Sequence, residues 1–152
     1  MVAIGQAVGL GRTGQVAAAR DALGALWNRV GPDGDPLHRC AVAHYLADLQ
    51  DTVESELEWD RRALAAVTGL TDERVRRFHT SLRVRAFLPS LHLNLADAHR
   101  RLGDLEAARS HNDRARALVD ALPDDEYGAT IRFGIERVGE ALEARTREPL
   151  VN

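Results

Sequence analysis

Apolar positions along this chain recur at helical spacing. Tyr127, Ile131, Ile135, Val138 and Leu142 lie three or four residues apart, on one face of a helix predicted over about 124–145. Upstream, the run LHLNLADAHRRLGDLEAAR, from Leu91 to Arg109, reads as an amphipathic helix, a turn at Gly103 and a second helix, with Pro123 closing the unit. Gly103, Ala108 and Ala115 are spaced five and then seven apart. Gly14, Ala19 and Leu26 repeat that spacing near the start, with Pro32 at the end of the unit. In the middle, Asp51, Glu56 and Ala63 keep the spacing with weaker residue identity. The pattern predicts three helical hairpins over about 2–30, 37–68 and 89–121, with a breaker at Gly31–Pro36.

The spacing has a physical cause. Two antiparallel helices need a short turn with unusual backbone angles, which glycine adopts at little cost. Where the helices cross most closely each must carry a small residue, and Ala96 against Ala108 and Ala7 against Ala19 fill that role. The register then breaks. Gly14 to Asp51 is 37 positions, but Asp51 to Gly103 is 52. An insertion over about 70–87 accounts for the difference. Within it Thr71 reads as an N-cap, Asp72 and Glu73 suit the first turn, and Val75, Phe78 and Leu82 share a face.

On these residues the chain resembles the tetratricopeptide repeat family, in the manner of a short bacterial member, over about three quarters of its length. His92-x2-Leu95-Ala96-x2-His99 stands where that family has Trp, Leu, Gly and Tyr, and Ala108-x3-Asn112 where it has Ala and an aromatic. Both aromatic sites of the first helix are therefore His. The resemblance implies an all-α fold: antiparallel hairpins stacked as a short right-handed solenoid, in one domain over 1–152, with the last helix as a C-terminal cap. It also implies a protein-interaction module. The first helix of each hairpin would line a concave face, and Tyr45, Asp48, Leu49, Leu93, Asn94, Asp97, Arg100 and Arg101 are the candidate partner-binding residues, with Ile4 and Val8 beside them. Some relatives grip a peptide carboxylate with basic residues in this groove. The matching positions here offer only Arg12 and His38.

Composition narrows the chemistry. Hydrophobic residues make up 45% and aromatics 5%, which suits a core of Ala, Leu and Val between closely packed helices. A net charge of −3 gives no strong pull toward nucleic acid or an anionic membrane. All 20 basic residues are Arg, which reads as the coding bias of a GC-rich genome. Arg74, Arg76, Arg77, Arg83 and Arg85, around Phe78 and His79, form a local basic cluster offset by the acidic residues of the preceding helix. No signal-peptide pattern and no apolar run of membrane-spanning length is present, so a cytoplasmic location is expected.

No cofactor and no catalysis are expected. The glycines of Gly9–Gly14 follow a helical run and lack the spacing of a nucleotide-binding loop. The serines have no nucleophile motif around them, and HExxH is absent. Cys40 stands alone, which excludes an intrachain disulfide or a multi-cysteine zinc site. The competing expectation is a small-ligand or metal sensor built from Cys40, His44, Glu56 and His92. In this register His44 faces Glu56 where two small residues are usual, so the two would pair, with Asp60 one turn further on. A homodimer is a further expectation, because the chain starts almost inside its first helix and a second copy would cover the apolar face left there.

Overall fold

The computed structural model describes residues 2–68 and 81–150, the side chains of residues 81–84 excepted. Among the described residues the chain is all-α, with seven α-helices, one 3-10 turn and no strand. It divides into two compact units, 1–70 and 71–152. The division falls where the sequence spacing breaks.

The first unit holds α1 (Val2–Arg12), α2 (Val16–Val30), α3 (Pro36–Ala47) and α4 (Val53–Thr68). Helix α1 packs on α2 and α3, α2 packs on α3, and α3 packs on α4. The turn between α1 and α2 follows from one residue. Gly14 has φ +81, and the amides of Gly14 and Gln15 close on the carbonyls of Gly11 and Leu10. That pair of bonds is a Schellman cap, which satisfies carbonyls the helix end would otherwise leave open. Asp35 starts α3, its side chain accepting from the His38 amide at 2.8 Å with Pro36 in the first turn.

Ile4, Ala7, Leu23, Ala41, Val42 and Leu46 form the centre of this unit. At its edge the rings of Trp27 and Trp59 meet edge to face, 5.3 Å between centroids. Arg39 lies over Trp27 and Arg62 over Trp59, at 4.2 and 4.5 Å. The aromatic contact contributes about 0.5–1.5 kcal/mol beyond the area it buries. Arg39 also donates to the Gly31 carbonyl, tying α3 to the end of α2.

The second unit holds α5 (Ser81–Leu102), α6 (Leu105–Ala117), a 3-10 turn (Val119–Ala121) and α7 (Glu126–Glu143). Helix α5 packs on α6 and α7, and α6 packs on α7. Ala96, Ala108, Val138 and Leu142 form one buried cluster, with Leu93, Leu105 and Leu150 against it. Ala96 and Ala108 are both fully buried, as a close helix crossing requires. The α5–α6 turn repeats the first one: Gly103 has φ +88, and the amides of Gly103 and Asp104 bond to the carbonyls of Arg100 and His99.

Two boundaries differ from the sequence pattern. Helix α5 begins at Ser81, not near residue 89, and carries Pro89 inside it. Proline there forfeits one backbone bond, and the helix persists because Pro89, Ser90, Leu91 and His92 are buried. The helix expected to reach 121 ends at Ala117, since Leu118 has left helical angles and Pro123 follows. In α7, Ile135, Val138 and Leu142 are buried as its stripe predicts, while Tyr127 is 41% exposed and donates to Ser90 Oγ at 3.1 Å. Its glycines are close-approach sites. A Cβ at Gly128 would lie 1.9 Å from the Pro123 carbonyl oxygen, and one at Gly134 would lie 2.7 Å from Leu93 Cδ2. The inserted residues Thr71, Asp72, Glu73, Val75 and Phe78 lie outside the described residues, and so do Arg74, Arg76, Arg77 and His79.

Candidate functional site

Each unit carries a cleft, and the residues expected to meet a partner fall into both. In the first unit Tyr45, Asp48 and Leu49 stand three and four residues apart on the end of α3. With Val8, Gly11 and Arg12 of α1 and Leu23 of α2 they line a cleft of about 250 Å³. Gly11 lets the walls come together, since a Cβ there would meet Leu49 Cδ2 at 3.3 Å. Arg20 ties Leu49 to α2. Its Nε donates to the Leu49 carbonyl at 3.0 Å, and its Nη2 to Asp51 at 2.9 Å. The Arg20 bond keeps the Asp51 carboxyl below its ordinary range. Asp48 opens to solvent in the cleft, yet the protein packed around it raises its pKa, an effect that His44 partly offsets.

Behind Tyr45 lies a buried polar group. Asp60, fully buried, has Oδ1 3.9 Å from His44 Nδ1. Asp60 lies one turn beyond the half-buried Glu56 on α4, so a second, deeper carboxylate stands beside His44. The four-residue step matters because it brings the next turn of α4 to the same face. Burial works to lower the His44 pKa, but the bond to Asp60 and the charges of Asp48 and Asp60 raise it above its ordinary 6.5. Cys40 is buried nearby, and burial with the Asp60 charge pushes its thiol up to about 12. A thiol so held is neutral at neutral pH.

In the second unit Leu93, Asn94, Asp97 and Arg101 of α5 face Gly134 and Val138 of α7, with Pro149 and Leu150 at the rim, around a cleft of about 360 Å³. Asp97 organises this wall. Its Oδ1 accepts from Arg100 Nε at 3.0 Å and Nη2 at 2.6 Å, and its Oδ2 from Arg101 Nε at 2.8 Å. One expected contact residue is corrected here. Arg100 is fully buried, and its Nη1 donates to the Thr146 carbonyl at 2.7 Å. Its guanidinium serves the interior, and a partner cannot reach it.

The histidines of the second unit gather on one another. His92 and His99, both buried, stand two helical turns apart on α5. His111 of α6 lies between them, with Nδ1 2.9 Å from His92 Nδ1 and its ring stacked on His99 at 5.6 Å. His99 Nδ1 also lies 3.4 Å from Asp104 Oδ2. Burial, helped by the charge of Arg114, lowers the His92 pKa. His111 escaped the sequence reading. Its position one before Asn112, in the register opposite His92, was the only available signal. Among the described residues no three His, Cys, Asp or Glu side chains converge in a group able to hold a metal ion. Cys40, His44 and Glu56 belong to the first unit and His92 to the second.

No helix among the described residues is long and apolar enough to cross a membrane. No protein-family model matches the chain, and neither a curated protein nor a solved structure is significantly similar to it.

Proposed function

We propose that this chain is a helical-repeat interaction module of the tetratricopeptide kind, which binds an extended segment or helix of a protein partner and catalyses no reaction. One observation carries the reading. Seven of the eight residues chosen as partner-binding positions line a cleft, three in one unit and four in the other. Two further facts support it. Within each unit a helix packs on both members of the hairpin before it, which is the adjacency a stacked repeat requires. The clefts also combine aliphatic walls with an aromatic ring and charges of both signs, which suits a peptide more than a compact metabolite.

The test starts from a partner recovered by affinity purification from the native cell. Its affinity is then measured by calorimetry against Tyr45→Ala and Arg101→Ala. Loss of about 2 kcal/mol, roughly thirtyfold, is expected at an anchoring position, with unchanged circular dichroism. If both variants keep full affinity, the clefts are not the binding surface.

A further inference from the structure

One side of the second cleft is closed by the chain's own residues after α7. Helix α7 ends in a Schellman cap: the amides of Arg145 and Thr146 bond to the carbonyls of Leu142 and Ala141, and Arg145 takes φ +53. That cap turns the chain back toward the end of α5. There the Thr146 carbonyl accepts from Arg100, and Arg147 Nε donates to the Arg101 carbonyl at 3.2 Å. Pro149 and Leu150 then form a rim of the cleft, and Leu150 packs on the cluster that includes Ala96 and Val138. Backbone and apolar contacts are thus made by a non-helical segment to the very helix faces expected to receive a partner.

Resting on the reading of this face as a partner groove, we infer that residues 147–150 are an intramolecular occupant of the α5–α7 cleft, and that the partner is a peptide presenting a branched aliphatic residue after proline, which enters by displacing them while Thr146 stays on Arg100. The seating beyond Thr146 is shallow. Arg147, Glu148 and Pro149 are exposed, and Leu150 is only half-buried. A strap of this kind competes as a tethered ligand, at an effective concentration of order millimolar. A free peptide of the same chemistry therefore binds weakly until the strap is loosened. The cleft keeps its walls when the strap leaves, because Leu93, Asp97, Arg101 and Val138 are placed by helices.

The experiment uses the full chain carrying Arg147→Ser and Leu150→Ser, with a fluorescein-labelled synthetic peptide that copies residues 144–150. Fluorescence polarisation should show the variant binding the peptide at least about tenfold more tightly than the unaltered chain. A peptide with Ser in place of its leucine should lose that binding. Equal affinity for both proteins, or no binding to a variant of unchanged circular dichroism, overturns the inference. If the variant does not fold, the unaltered chain decides by NMR. Millimolar peptide should move the amide signals of residues 147, 148 and 150 toward their unstructured positions, and signals that stay fixed overturn the inference. No native partner enters this assay. A strap that exchanges while Tyr45→Ala and Arg101→Ala leave the native partner's affinity intact would therefore sink only the broader functional reading.

Discussion

Removal of the Asp97 carboxylate should destabilise the second unit well beyond what a surface change would do. Arg100 is fully buried, and its guanidinium places a charge inside the second unit. Asp97→Ala deletes the bonds from Arg100 Nε and Nη2, at 3.0 and 2.6 Å, and leaves the Nη1 bond to the Thr146 carbonyl at 2.7 Å. The bond from Arg101 at 2.8 Å goes as well. Breaking a buried pair costs about 3–5 kcal/mol. The Asp97 side chain is 24% exposed, so water reaches the vacated position and lowers the cost. About 2–4 kcal/mol is the resulting expectation. Urea unfolding followed by far-UV circular dichroism measures the loss. Tryptophan fluorescence adds the location, because both tryptophans, Trp27 and Trp59, are in the first unit. Arg100→Met in the Asp97→Ala background should recover much of the loss, since a neutral side chain no longer needs the carboxylate. A loss under about 1 kcal/mol for Asp97→Ala, or no recovery in the double variant, would refute the assignment of Arg100 as a buried charge held by Asp97.

Three more outcomes are expected. Arg145→Gly should raise the melting temperature by about 2–4 °C, because the same cap occurs at Gly14 and Gly103 and a left-handed non-glycine costs about 1 kcal/mol or more; a lower melting point would count against that strain. Cys40 should resist a thiol reagent such as Ellman's at pH 8 in the folded protein and react once unfolded, and prompt reaction in the native state would contradict a thiol raised to about 12. The two units should respond oppositely to pH. His44 has a raised folded pKa, so its contribution is full below the ordinary 6.5 and is lost as pH rises through the folded value, which tryptophan fluorescence reads in the first unit. His92 has a lowered folded pKa, so its contribution is present above 6.5 and is lost as pH falls through the folded value. His44→Gln and His92→Gln should each flatten the corresponding half of the profile, and a profile unchanged by either would refute that assignment.

Much of the architecture was legible because helix pairs write it locally. Gly14 and Gly103 marked turns that need a left-handed residue, and both glycines adopt one. Ala96 and Ala108 marked a close crossing, and both are fully buried. The amphipathic stripe of α7 located its buried face, with Tyr127 the exception because its hydroxyl reaches Ser90 at the rim. The start of α5 was less legible. Proline removes a backbone bond, so spacing alone does not predict a helix that runs through Pro89, whereas the buried turn after it tolerates the loss.

The site was legible only as far as periodicity could carry it. Spacing along α3 and α5 selects which side chains share a face, and that sufficed for Tyr45, Asp48 and Leu49 and for Leu93, Asn94, Asp97 and Arg101. It could not separate Arg100 from Arg101, which are neighbours of identical chemistry. Their difference depends on residue 146: a carbonyl from a segment 46 positions downstream covers Arg100 and makes burial of its charge tolerable, while Arg101 lies at the cleft. The surroundings of His44 show a related limit. Glu56 and Asp60 lie one turn apart on the same face of α4, so spacing does not say which is the deeper, and Asp60 is the fully buried one. In both cases the deciding quantity is how far water is excluded around a charge. That quantity depends on segments brought together from distant parts of the chain, and a helical pattern does not encode it.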